Sequence, residues 1–300
     1  MTTDRLDRRL RLLRPDLSWT RIRSAIERGQ VTVDGTIARD PALTVSPAAE
    51  VNVNVSRPAL PTARLDLPRL YEDDEILVID KPAGLLTIAT DPESRATEDT
   101  VLGRVQEYAK RLHGRHAYAG VLHRLDRGTS GALAVALSRD AHSAGRALFG
   151  KHAFERWYLA IVEGVPRQPR GTIEAHISND YVSGRRRIVR GDDEGRHAVT
   201  HYRVREVLRD AALLELRLET GRQHQIRLHL QQLGHPIVGE SVYVTAPGTG
   251  MRQRRVTRTM LHAWRLAFPH PLRQRTVQAE APVPEDFDRA LALLRRLPNP

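Results

Sequence analysis

The chain has no cysteine. Disulfides, thiolate metal sites and cysteine nucleophiles are thereby excluded. Lysine is almost missing as well. Lys81, Lys110 and Lys151 are the only three, although lysine and arginine together number 47 against 36 acidic residues. No stretch is long and apolar enough to span a bilayer. The first sixteen residues, MTTDRLDRRLRLLRPD, are charged throughout and lack an apolar centre, so no secretory signal is expected. The expected compartment is the cytoplasm, with no membrane association.

What is present is ordinary globular composition, 300 residues of which 40% are hydrophobic, enough for a sizeable core and about two domains. The formal net charge is +11. A surplus of this size points to a polyanionic partner, because neutralising phosphates releases their counterions. Arginine, which supplies nearly all of the positive charge, suits bidentate phosphate contact and base stacking. Genomic codon bias would give the same preference for arginine over lysine.

Residues 3–55 read as a small α/β unit. Leu6, Leu10 and Leu13 recur at helical spacing until Pro15 stops the run. Ser18 is placed to cap a second helix with Ile22, Ala25 and Ile26 on its apolar face, and Gly29 ends it. VTVDGTIA then joins two short runs through Asp34-Gly35, a strong hairpin signal. Arg21, Arg23 and Arg28 lie on or beside the polar side of the second helix. Such a side is usually just solvated; a following hairpin in a basic chain favours RNA contact. Residues 56–68, SRPALPTARLDLP, hold three prolines without periodicity and read as a linker. Residues 69–297 form the larger part. EILVID (75–80), GALAVALS (131–138) and WYLAIVEG (157–164) look like buried strands, and LLELRLET alternates as a half-buried one. Helical spacing appears at Val101, Leu102, Val105, Tyr108 and Leu112, again at Ile226, Leu230 and Leu233, and in the tail from Asp286 to Leu297. Strands with few helices between them predict an α+β domain around a largely antiparallel mixed sheet.

Three stretches carry candidate chemistry. In LHRLDRGTSGALAVALS (122–138) a polar cluster of His123, Arg124, Asp126, Arg127, Thr129 and Ser130 runs into a buried strand. Asp126 between two arginines is either an ion pair that pins a loop or a carboxylate in use. In LETGRQHQIRLHLQQLGHPIVGE (218–240) the residues after Gly221 read as a helix with His224, Arg227 and Gln231 on one stripe. Arg227 would sit at the edge of the buried face, where a charge needs a partner such as a carboxylate on a strand end. In FERWYLAIVEG (154–164) Tyr158 is either core with its hydroxyl at the rim or a ring that stacks on a base.

The N-terminal unit resembles an S4 RNA-binding domain, on RLDRRL (5–10), SWTRIRSAIERGQVTVDG (18–35) and VSPAAEVNV (45–53). The larger part resembles the RluA-type pseudouridine synthases. The resemblance rests on DKPAGL (80–85), HRLDRGTSG (123–131), RWYLAIVEG (156–164), TGRQHQIRLHLQQLGHPIVGE (220–240) and RTMLHAWRLAFPHP (258–271), five motifs in the family's order. It implies that Asp126 is the catalytic aspartate, Arg227 its partner and Tyr158 the ring against the target base. Arg124, with His123, would replace or extrude the flipped nucleotide, and Arg21, Arg23 and Arg28 would contact structured RNA. Lys81, Thr129, Ser130 and His224 would support the site. The chemistry fits those residue types. Converting uridine to pseudouridine breaks the bond from N1 to C1′ and remakes it from C5. No electrons are gained or lost, so no cofactor is expected. A carboxylate must act at the sugar carbon or take a proton from the sugar, and the base must leave its stack to reach it.

The text departs from the family at LLTIATDPE (85–93), at Glu240, where an aspartate is common, and in the basic stretch TAPGTGMRQRRVTR (245–258). These departures are expected to affect substrate contacts rather than the central triad. A metal hydrolase is disfavoured despite thirteen histidines: His224 and His229 are five apart and no carboxylate lies between them, so no metal is expected. A non-catalytic S4-type RNA-binding protein needs only the small unit and the charge, and has no use for Asp126, Tyr158 and Arg227 together. The expected partner is large-subunit ribosomal RNA, with transfer RNA as the alternative, and the expected state is a monomer.

Overall fold

The computed structural model describes residues 4–38, 41–54, 65–89, 98–114, 116–178, 185–189, 195–243 and 256–296. Most of the expected linker, most of the basic stretch 245–258, the end of LLTIATDPE and the outermost residues assigned to each unit lie outside them.

The first unit comprises β1 (Asp4–Arg5), α1 (Leu6–Leu13), α2 (Trp19–Glu27), β2 (Val31–Val33), β3 (Thr36–Ala38), β4 (Thr44–Val45) and β5 (Val51–Val53). Leu6 and Leu10 pack against Ile22, Ala25, Ile26, Val31 and Val45 in a small core of their own. Leu13 does not join them. It is 50% exposed, at the last residue of α1. The Ser18 hydroxyl accepts the Arg21 amide at 3.3 Å and caps α2. Asp34 (φ 50°) and Gly35 (φ 76°) both take the left-handed backbone that a two-residue β2–β3 hairpin demands.

The second unit comprises β6 (Arg69–Glu72), β7 (Ile76–Lys81), α3 (Val101–His113), β8 (Gly120–Val121), β9 (Ser130–Ala136), α4 (Arg139–Gly150), β10 (Glu155–Glu163), β11 (Arg170–Ser178), β12 (Ile188–Val189), β13 (Gly195–Leu208), β14 (Ala211–Leu218), α5 (Gln225–Gln232), β15 (Leu261–Pro269), β16 (Thr276–Glu280) and α6 (Glu285–Arg296). Its eleven-stranded sheet runs β12-β11-β13-β14-β10-β15-β9-β7-β6, with β16 also on β15 and β8 also on β9. Among the described strands of this sheet only the β9–β15 pair is parallel; the others are antiparallel, so the α+β class and the mixed, largely antiparallel sheet are as the sequence predicts.

The apolar run in β7 is continuous because both faces of the sheet are covered there. Leu77 and Ile79 enter one core, beside α3 and α6, while Ile76 and Val78 enter the other, beside α4. β14 departs from its expected half-buried pattern. Glu215 is only 8% exposed, held between Arg203 (2.9 Å) and Arg205 (3.5 Å). The long strands β11 and β13 and the helix α4 are not anticipated from the sequence.

The parallel join is the feature that brings the site together. His262 and Ala263 on β15 register with Ser130 and Gly131 on β9. Gly131 has φ 113°, and a Cβ there would run into the Ala263 carbonyl. The end of β9 therefore lies close beside β15 and one strand away from β10. The two units also touch. Arg275 reaches Asp73 on one side (2.6 Å) and the Asp34 carbonyl and Thr36 hydroxyl of the β2–β3 hairpin on the other (3.3 Å each). Among the described residues no helix is long and apolar enough to cross a membrane.

Candidate active site

A cleft of about 1540 Å³ opens at the end of β9, lined from β10, the start of α5 and the loops before β9 and β15. Nine arginines and two carboxylates, Asp126 and Glu240, line it. Asp126 sits in the turn that leads into β9, where its carbonyl accepts the Thr129 amide at 3.0 Å.

The loop carrying Asp126 is pinned from beneath. Lys81 is fully buried, and its ammonium donates to the carbonyls of Pro82 (2.9 Å), Leu85 (2.8 Å) and Arg127 (3.3 Å). Burial pulls the Lys81 pKa down to about 7. The Gly84 amide and the Arg127 carbonyl meet at 2.7 Å, and the Arg127 Nε donates back to the Gly84 carbonyl at 2.9 Å. The Thr87 hydroxyl donates to the Leu125 carbonyl at 2.7 Å and accepts its amide at 3.2 Å. Arg258 donates to the Gly128 carbonyl at 3.2 Å while its Nε and Nη2 grip Asp286 at the start of α6, at 2.6 and 2.9 Å. Thr129 and Ser130 are buried, and the Ser130 hydroxyl lies 3.0 Å from His262 Nδ1.

Arg227 reaches the cleft from α5. Its Nη1 lies 3.4 Å from Asp126 Oδ2, as the sequence suggests it should. Its stronger attachment is to Glu240, with Nε and Nη2 each 2.7 Å from a carboxylate oxygen. Glu240 also accepts the amides of Val242 (2.8 Å) and Tyr243 (3.3 Å). Burial opposes both charges. The Arg227 guanidinium and the two amides nevertheless hold the Glu240 carboxyl below its ordinary range, while Glu240 and Asp126 together hold Arg227 well above its own. Glu240 thus belongs to the central cluster, contrary to the expectation that it concerns substrate contacts alone. Its place in the sequence offers no signal for this, because the amides that complete its shell come from a turn rather than a periodic element.

His224 also departs from expectation. It precedes α5 with a left-handed backbone (φ 59°) instead of sharing a helical stripe with Arg227 and Gln231. From there its Nε2 comes within 3.9 Å of Asp126, and its Nδ1 lies 2.6 Å from the Tyr243 hydroxyl. Burial lowers its pKa. The helix itself is buried all round from Gln225 to Leu230, not amphipathic.

Tyr158 stands on β10, paired with Leu216 of β14, and is 7% exposed at the cleft wall. Burial raises its phenol to about 12, so it keeps its proton. Arg124 is exposed at the cleft mouth. His123, expected to join Arg124 in handling RNA, is instead 5% exposed. Its ring stacks on Phe149 and meets Phe154 edge-on, its Nε2 accepts the Ala134 amide at 3.2 Å, and burial takes its pKa to about 3. The enclosed, neutral ring seats the strand through the Ala134 amide and carries no charge to offer a phosphate. Arg21, Arg23 and Arg28 lie on the first unit, away from the cleft and exposed; Arg23 is drawn to Asp7 at 3.4 Å.

Comparison with known proteins identifies what the chain is similar to. The profile of a family described as RNA pseudouridylate synthase matches residues 75–232, and that of the S4 domain matches residues 4–51. The chain is 34% identical to a ribosomal large subunit pseudouridine synthase D of Zymomonas mobilis, over 97% of this chain and 93% of the relative. It is 38% identical to a protein of the same description from Xanthomonas campestris, over 97% and 89%. Among solved structures, human RNA Pseudouridylate Synthase Domain Containing 4 is similar with a TM-score of 0.64 and 27% identity, covering 77% of this chain and 95% of that one.

Proposed function

The chain belongs to the RNA pseudouridylate synthase family, with an S4 domain ahead of the catalytic one, and from that membership we propose that it isomerises uridine to pseudouridine in large-subunit ribosomal RNA, with Asp126 as the catalytic carboxylate. The observation that carries the assignment to Asp126 is the division of labour between the two cleft carboxylates. Glu240 is consumed by Arg227 and two backbone amides. Asp126 has one long contact to Arg227 and a side chain still 27% exposed. It is therefore the acid with lone pairs left for a substrate.

The other residues follow from their places. Arg227, fixed by Glu240, orients Asp126 toward the sugar of a flipped nucleotide. Tyr158, protonated and at the wall, is placed to stack on the uracil ring of the flipped nucleotide. Arg124 at the mouth fills the space that the extruded base leaves. The protein acts as a cytoplasmic monomer on this reading.

Pseudouridine mapping of total RNA from cells with and without the gene tests the proposal. Specific ribosomal sites should vanish on deletion and stay absent when Asp126→Asn is supplied. Full rescue by that variant removes the catalytic role of Asp126, and loss confined to transfer RNA overturns the ribosomal assignment.

A further inference from the structure

Arg156 is a buried cation without a counter-ion among the described residues. It lies on β10 two residues before Tyr158 and is 4% exposed. Its Nη2 donates to the Glu219 carbonyl at 3.0 Å, and its Nε has no hydrogen-bond partner. No carboxylate among the described residues lies in ion-pair range of it. A buried guanidinium in that condition is costly unless a partner arrives.

The surroundings make the charge harder to keep. Arg222 faces the same part of the cleft; it donates to the His197 carbonyl at 3.2 Å and has no acid in ion-pair range among the described residues. Its positive charge opposes that of Arg156, and burial opposes both. Arg146 lines the rim from α4, exposed and without an acid among the described residues. The fold nonetheless gives Arg156 a dedicated slot. Its guanidinium lies 4.8 Å from the centre of the Phe149 ring, which is itself stacked on His123. On the other side, a Cβ on Gly221 would collide with its Nη1. A merely structural side chain in this slot would be better neutral.

We infer that Arg156 and Arg222, with Arg146 at the rim, form a seat for one backbone phosphate of the RNA strand beside the flipped uridine. A phosphodiester supplies the missing charge and several acceptor oxygens, and two guanidiniums without an acid between them accept one anion jointly. Because Arg156 and Tyr158 point from one face of β10 into the same cleft, the phosphate so held flanks the nucleotide whose base meets Tyr158. The anion site stands on its own geometry; naming the nucleotide rests on Asp126 being the catalytic carboxylate.

Two measurements on the full-length protein test the seat. The first is binding of an oligouridylate decamer across a salt series. Arg222→Gln should weaken binding about tenfold at low salt, and should flatten the slope of log K against log salt by about 0.7. Arg156→Gln should do the same. If it melts too low to use, the half-buried Arg222 variant carries the measurement. The second uses an RNA stem-loop carrying a uridine identified by the mapping above, synthesised with a neutral methylphosphonate at one linkage at a time. One linkage next to the uridine should cost the wild-type protein about tenfold and cost Arg222→Gln nothing further. A folded Arg222→Gln protein with unchanged affinity and slope overturns the proposal, and so does a linkage scan in which every loss adds to that of the variant. Wild-type protein that behaves as expected with the decamer but forms no pseudouridine leaves the seat standing and removes the catalytic reading instead.

Discussion

Arg227 has two carboxylates within reach and treats them differently, and that asymmetry sets the chemistry. Glu240 makes two 2.7 Å contacts, whereas Asp126 makes one of 3.4 Å. A guanidinium fully committed to Asp126 would orient it but would also occupy the oxygen needed by the sugar. Glu240 holds Arg227 back. Glu240→Gln should therefore let Arg227 close on Asp126. Turnover on saturating RNA should fall at least about tenfold with RNA affinity nearly unchanged, as expected for an interaction that matters in the transition state. Breaking this buried pair should also cost about 3 kcal/mol in denaturant unfolding. Glu240→Asp should keep much of both. Unchanged turnover in the glutamine variant would show that Arg227 does not depend on its second acid. The catalytic candidates themselves are legible in the sequence, because Asp126, Tyr158 and Arg227 each stand in a compact local motif. Glu240 is visible only as a departure at a motif's end, since its shell depends on amides at Val242 and Tyr243 that a turn must place.

At the scale of elements, loops are held by a few buried polar hubs. Lys81 gathers three carbonyls under the Asp126 loop. Lys81→Met would strand them, and should cost about 3 kcal/mol of stability while lowering turnover more than RNA affinity; intact turnover would mean that the loop holds its shape without the lysine. Asp73 is the second hub, accepting from the Tyr71 hydroxyl (2.5 Å), the amides of Glu75 and Ile76 (2.8 and 2.7 Å), His270 (2.9 Å) and Arg275 (2.6 Å). Burial works against its charge, but these donors outweigh burial and leave its pKa lowered. Its contribution to stability is thus complete above the unfolded value near 3.9, and is lost as pH falls through the lower folded value. Denaturant unfolding of the wild type should weaken across that acid window, and Asp73→Asn should lose stability at neutral pH while showing a flatter acid limb; parallel limbs would contradict the assignment. Element types with strong apolar contrast, such as β7, β10 and α3, can be read in advance. β13 carries a weaker signal, since Ala198, Val199, Thr200 and Tyr202 are buried without strict alternation, and the polar residues on either side, Arg196, His197, Arg203 and Arg205, mask the strand. The parallel pairing of β9 with β15 joins segments more than a hundred residues apart and leaves no local trace.

At the scale of the whole molecule, the same Asp73 hub joins catalytic domain to S4 domain, because Arg275 spans from it to the β2–β3 hairpin. The S4 domain carries Arg21 and Arg28 exposed with no acid among the described residues holding them, while the cleft carries its own surplus of arginine. Two basic surfaces on one RNA act as linked binding sites, and their joint affinity depends on how well their spacing is fixed. Arg275→Ala should leave turnover at saturating RNA intact and raise KM about threefold to tenfold, since the hairpin loses one of its attachments while the cleft keeps every residue. Removing charge instead, with Arg21→Gln and Arg28→Gln together, should also raise KM, but should flatten the salt dependence of binding as well, by about 0.7 to 0.9 for each phosphate no longer neutralised. Arg275→Ala should leave that slope unchanged, because its charge faces Asp73 and the hairpin rather than RNA. The pair of slopes therefore separates domain positioning from phosphate neutralisation. Equal flattening in both variants would show Arg275 to be an RNA ligand, and an unchanged KM in Arg275→Ala would show that RNA alone sets the domain spacing.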